Sequence, residues 1–188
     1  MSRFPSLPPH PGLADVFVRF ADSVGPLFEY HDRLLRGPSP LTVGERELLA
    51  AYTSALNACS FCEGAHRLVA EVHGIEPALL EKLCADPATA QVDQRLHPLL
   101  AYVRKLTLTP ARITDADSQQ VFAAGWDETA LFHAISICGL FNLMNRLVEG
   151  CGVQTSPGVR AEQRERHQRM KDVPDPYRRF GRMLGVIP

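Results

Sequence analysis

From Leu131 to Val148 the chain contains no proline, and apolar side chains such as Leu131, Phe132, Ile137, Leu140, Phe141, Met144 and Val148 recur on nearly every face of a helix. A helix apolar all round cannot lie on a surface and must be covered on several sides. Further helices of the same chain, or a second copy of it, must supply that cover. Asp127 is placed to cap the start of the helix and Gly150 to end it. His133, Ser136, Asn142, Asn145 and Arg146 interrupt the stretch. No apolar run therefore approaches the ~20 residues of a membrane span, and no membrane is expected as a partner.

The remaining periodicity is helical, and no segment reads as a strand. Leu13, Val16, Phe17 and Phe20 recur at helical spacing. Leu27, Tyr30, His31, Leu34 and Leu35 do so again, in a helix expected to begin after Pro26. Gly37-Pro38-Ser39-Pro40 is a break. Thr42 with Glu45 three residues on forms a capping box that opens a helix carrying Leu48, Leu49, Tyr52 and Leu56. Asn57 is the expected N-cap of the next helix, which runs to Gly74. Further helices are expected over 76–84 and 98–106, and Thr114 with Asp117 marks another helix start. The fold class is all-α. Residues 1–12 are Pro-rich and read as an extended arm, 13–155 as one helical domain, and 156–188 as a basic helix and arm.

Formal net charge is −1, so no global field draws the chain to nucleic acid or anionic lipid. In the basic tail, acidic residues are interleaved and the aromatics are only Tyr177 and Phe180, so nucleic acid is not an expected partner. The first residues carry no apolar signal core. With five cysteines, an odd number, the expectation is a cytoplasmic protein with reduced thiols.

Chemistry concentrates in one constellation: Glu47, eleven residues, Cys59-Ser60-Phe61-Cys62, three residues, His66. Cys59 and Cys62 at i and i+3 share a helix face within disulfide range, and His66 lies one turn beyond Cys62. On one continuous helix Glu47 would sit about 18 Å from Cys59 along the axis, too far to act. If the chain reverses near Leu56-Asn57, the two helices run antiparallel, and 47 and 66 fall level with each other. The carboxylate then meets the imidazole, and the imidazole the Cys62 thiol. A neighbouring base and a helix N-terminus both favour a thiolate. His66 can take the Cys62 proton while Glu47 orients the ring. The thiolate can attack a peroxide oxygen to give a sulfenic acid, which Cys59 condenses to a disulfide. An external dithiol restores the pair by exchange.

These residues resemble the alkylhydroperoxidase D-like branch of the carboxymuconolactone decarboxylase superfamily, whose signature is Glu, eleven residues, Cys-x-x-Cys, three residues, His. Pro40-Leu41-Thr42-Val43-Gly44-Glu45-Arg46-Glu47 is similar to that family's lead-in. Phe141-Asn142-Leu143-Met144-Asn145-Arg146 is similar to the second-half segment of its peroxidase-related subgroup. The resemblance covers 13–155. It implies an antiparallel helix-hairpin bundle that forms homo-oligomers and carries out peroxide or disulfide chemistry with neither metal nor flavin. The implied catalytic set is Cys62, Cys59, His66 and Glu47, with a hydroperoxide as substrate and an external dithiol or thiol-redox protein as reductant. One departure stands: some members carry a His just before the second Cys, where this chain has Phe61.

Other readings compete. The Cys pair is also compatible with a structural or zinc half-site, although no second pair follows. A decarboxylase-like lyase of the same superfamily would use the acid–base residues without the thiols. A non-enzymatic oligomeric thiol sensor would need no turnover. Glu45 is best explained as a cap. Cys84, Cys138 and Cys151 read as packing thiols, and His31, His73, His97 and His133 as surface or satisfied core residues. Finally, His66-Arg67-Leu68-Val69 resembles Asn145-Arg146-Leu147-Val148, an alignment that sets Cys62 opposite Phe141 and His66 opposite Asn145.

Overall fold

The computed structural model describes residues 2–86, 90, 92–153 and 160–188. Among them there are ten α-helices and no strand. The helices are α1 (Leu13–Arg19), α2 (Ala21–Leu35), α3 (Val43–Leu56), α4 (Ser60–Val72), α5 (Leu79–Ala85), α6 (Leu96–Leu108), α7 (Asp115–Ala123), α8 (Glu128–Cys151), α9 (Arg160–Arg169) and α10 (Pro176–Met183). The chain divides into two compact units: Met1–Pro38 together with Arg146–Pro188, and Ser39–Asn145. The first four residues of the basic tail, 156–159, lie outside the described residues.

In the first unit, α2 runs through Pro26 instead of starting after it. Proline has no N–H and its ring crowds the carbonyl four residues back, so at Pro26 the helix forfeits the bond to the Asp22 carbonyl. Burial of Val24, Phe28, Leu34 and Leu35 outweighs that loss. α10 packs on α2: Phe180 meets Phe28 edge to face, and a Cβ on Gly181 would lie 2.9 Å from the Phe28 ring. The buried Asp32 carboxylate accepts from the Tyr177 and Arg178 backbone N–H groups at 3.0 and 2.9 Å. His31 is also buried; its Nδ1 lies 2.7 Å from the Leu27 carbonyl and its ring stacks near Tyr177. In the N-terminal segment Leu7 is buried, and Arg3 Nε donates to the Glu149 carbonyl at 3.0 Å.

The second unit is built on the α3–α4 hairpin. Its start is the expected capping box: Glu45 N–H donates to Thr42 Oγ1 at 3.2 Å, and Thr42 N–H to Glu45 Oε2 at 2.7 Å. Its far end is Gly74, whose φ of +96° only glycine adopts readily. The two ends meet closely. A Cβ on Gly44 would lie 2.9 Å from the His73 carbonyl oxygen, so the sequence needs glycine where α3 passes the end of α4. α5, α6, α7 and the first part of α8 complete the unit, burying Leu80, Leu83, Leu99, Val103, Val121, Ala134, Ile137 and Phe141. α8 is long and apolar enough to cross a membrane by length and composition alone, with a mean hydropathy of 1.3, but half of that apolar window is buried in the fold, as in a core helix.

Candidate active site

The reversal between α3 and α4 takes three residues. Asn57 ends α3, Ala58 turns the chain with φ of +55°, and Cys59 is the N-cap of α4. Asn57 is thus not the N-cap that its residue type suggested. Its side chain is drawn elsewhere, with Nδ2 donating to Asn142 Oδ1 at 3.1 Å and Asn145 Oδ1 at 2.9 Å. The helix start therefore falls two residues later than expected. Cys62 becomes the third residue of α4, within the first turn, where backbone N–H groups lack helical partners and their dipoles favour an anion.

The antiparallel register holds. His66 Nδ1 lies 2.6 Å from Glu47 Oε2. Glu47 is wholly buried, and the His66 side chain is 13% exposed. With the carboxylate ionised it can only accept, so Nδ1 carries the proton and Nε2 is left as the basic nitrogen. Phe141 from α8 closes over the ring edge to face, with centroids 4.3 Å apart. Cys59 and Cys62 are both buried, and His66 follows Cys62 by one turn. The structure thus joins Glu47 to His66 directly and sets Cys59 and Cys62 on the turn of α4 that precedes His66.

A polar clamp around this hairpin was missed from sequence. Beyond its bond to Asn57, Asn145 donates through Nδ2 to Ser54 Oγ at 3.0 Å, and Ser54 in turn donates to the Ala50 carbonyl at 2.8 Å. Asn142 Nδ2 donates to the Cys138 carbonyl at 2.9 Å. The signal was present: an asparagine such as Asn145 on a largely apolar helix must find partners once buried. Phe141 packs on His66, and Asn145 bonds to Asn57 on the turn before Cys59.

Three further cysteines separate into two kinds. Cys138 and Cys151 are buried, and burial pushes both thiols above their ordinary range. Cys84 departs from the expected packing role, for it is exposed. α5 turns Leu79, Leu80 and Leu83 inward, and Cys84 falls off that face. Glu45 is held in the α3 cap, away from the site. His133 Nδ1 lies 2.8 Å from Ser39 Oγ, and burial, then Arg46, hold its pKa below the usual value. Among the described residues no group of three or more His, Cys, Asp and Glu side chains is arranged to hold a metal ion.

No protein-family model and no curated protein sequence matches the chain. Solved structures do match, two of them as follows. One is an alkylhydroperoxidase AhpD core, an uncharacterized peroxidase-related protein from Ralstonia eutropha JMP134. It superposes with a TM-score of 0.72 at 23% identity, over 82% of this chain and 79% of that one. The other is an uncharacterized peroxidase-related protein from Silicibacter sp. TM1040, with a TM-score of 0.71 at 23% identity, over 77% and 76% of the two chains. The all-helical class and the hairpin architecture are those of these proteins, and the chain has the fold of the alkylhydroperoxidase AhpD core.

Proposed function

We propose that the protein is a cysteine-dependent peroxidase or disulfide reductase of the alkylhydroperoxidase D-like kind, working through Cys62, Cys59, His66 and Glu47. The observation that carries this reading is the 2.6 Å contact between His66 and the fully buried Glu47, one turn beyond a Cys pair at a helix start. A buried carboxylate with no task is costly; one that fixes the tautomer of a histidine beside a thiol has a task.

In this reading the Cys62 thiol gives its proton to His66 Nε2, and Glu47 stabilises the imidazolium. The thiolate attacks the terminal oxygen of a hydroperoxide, the O–O bond breaks, and the alkoxide leaves as an alcohol after taking the proton from His66. Cys62 is left as a sulfenic acid. The Cys59 thiol attacks Cys62 Sγ and expels water, forming the disulfide. An external dithiol or thiol-redox protein supplies two electrons and two protons and returns both thiols. The buried ring of Phe141 against His66 limits water at the base. Neither metal nor flavin enters the scheme. We place the reaction in the cytoplasm and in a homo-oligomer.

The test is a peroxide-consumption assay run in parallel with dithiothreitol, a thioredoxin and a dihydrolipoyl protein. Consumption of peroxide matched one to one by disulfide formed in a reductant supports the reading. A Cys59-Cys62 pair that stays reduced under excess peroxide removes it. If an activity on a carboxylate substrate survives in the double Cys→Ser variant, the site works as an acid–base lyase instead.

A further inference from the structure

Cys59 has no solvent-exposed surface and Cys62 is 4% exposed, so a disulfide between them is closed to a protein reductant in this structure. Beside Cys59, which lies just beneath its wall, is a cleft of about 340 Å³. Ala55, Ala58 and Cys59 line it on the side of the α3–α4 turn, and Leu80 and Cys84 on the side of α5. Of the five cysteines, Cys84 alone is exposed. One cleft therefore has a cysteine of the Cys59-Cys62 pair on one wall and a surface thiol on the other.

The wall that bears Cys84 is tied to α4. Arg67 of α4 donates through Nη2 to the Pro77 carbonyl and to Glu81 Oε1, each at 2.8 Å. Glu81 lies one turn before Cys84 on α5, and Glu63 lies one turn after Cys59 on α4. Although Cys84 is exposed as a residue, partial desolvation of its sulfur, then the charge of Glu63, holds the thiol above its ordinary range. A thiol so raised is slow toward solvent oxidants, so the case for its exchange is its place on the cleft shared with Cys59.

We propose that Cys84 is the outlet of the site: it exchanges with the Cys59–Cys62 disulfide across the cleft and carries the oxidising equivalent to the surface. This rests on the peroxidase reading of the Cys pair. In the step, the Cys84 thiolate attacks Cys59 Sγ. The Cys59–Cys62 bond breaks, the Cys59–Cys84 bond forms, and Cys62 leaves as a thiolate that takes up a proton from water, matching the one the Cys84 thiol released to it. Nothing is oxidised or reduced overall. An external dithiol then attacks Cys84 Sγ, releasing the Cys59 thiol. Its second thiol displaces Cys84 from the mixed disulfide, so the reductant leaves as a disulfide and the protein holds three thiols. Bond formation draws the two walls together, since a disulfide needs Cα atoms within about 7 Å.

The experiment maps disulfides in the full chain after one equivalent of hydrogen peroxide, alkylation with N-ethylmaleimide and non-reducing digestion. The expected result is a Cys59–Cys84 cross-linked peptide beside the Cys59–Cys62 one. In Cys62→Ser, diamide should form the Cys59–Cys84 bond with no peroxide chemistry required. Cys84→Ser should slow turnover with a thioredoxin by about tenfold more than turnover with dithiothreitol, which is small enough to enter the cleft. If Cys84 is fully alkylated both in the oxidised wild type and in diamide-treated Cys62→Ser, the outlet is overturned while the peroxidase reading stands. If diamide links Cys59 to Cys84 but peroxide oxidises no cysteine, the peroxidase reading fails and the contact across the cleft survives.

Discussion

His66 Nδ1 and Glu47 Oε2 are 2.6 Å apart although nineteen residues separate them in sequence. The pair spans the two arms of the α3–α4 hairpin, and the Glu47 end has no contact with solvent. A carboxylate buried in that way holds the imidazole as a base directed away from itself. In the proposed mechanism this hairpin carries the proton transfer.

Removing the carboxylate charge should therefore remove the base. Glu47→Gln is expected to lower peroxide turnover by about 10²-fold or more, the range of general-base contributions. It should also raise the pH at which the Cys62 thiolate forms, read from the pH profile of iodoacetamide alkylation. His66→Asn should do the same. An alkylation profile that neither substitution moves would detach the Glu–His pair from the thiol.

The two sulfurs should divide the work, with Cys62 attacking peroxide and Cys59 resolving. His66 follows Cys62 by one turn, whereas Cys59 is the N-cap and lies seven residues before it. In Cys59→Ser, peroxide should leave a sulfenic acid on Cys62 that dimedone traps, as mass spectrometry would show. Dimedone on Cys59 in Cys62→Ser, with none in the converse variant, would reverse the roles.

Hairpin closure should depend on Gly44. An added Cβ would sit 2.9 Å from the His73 carbonyl oxygen, a backbone atom that cannot rotate away. Gly44→Ala is expected to cost about 1–3 kcal/mol in urea unfolding, as overpacking of a tight contact does. Peroxide turnover should fall with it, because the same register brings Glu47 to His66. Unchanged stability would mean that the helix ends separate freely.

The protein should also assemble. α8 leaves Phe132 64% and Leu143 44% exposed, and eleven residues of helix return them to the same face with Gly139 between. Exposed apolar side chains aligned on a core helix mark an interface, and closed symmetric homo-oligomers are its usual form. Light scattering at micromolar concentration should give a multiple of 20.8 kDa. A mass of 20.8 kDa would leave the stripe without a partner.

What the sequence determined by itself was local or periodic. The capping boxes at Thr42 and Thr114 predict their helix starts, because a cap and its helix lie within four residues. Gly74 ends α4 by its own backbone freedom. The pairing of Glu47 with His66 was legible too, since an antiparallel hairpin makes residues equidistant from its turn meet. Only the tertiary structure decided what depends on distant partners. Asn57 looked like an N-cap, but Asn142 and Asn145, 85 and 88 residues away, claim its side chain and move the helix start to Cys59. Pro26 reads as the point after which a helix begins, yet burial of the α2 face carries the helix through it. Cys84 reads as one more packing thiol, and only the way α5 seats its leucines turns that sulfur outward, onto the wall of the cleft that Cys59 also lines. Hydrogen-bond competition and burial are sums over neighbours, and the chain acquires those neighbours only when it folds.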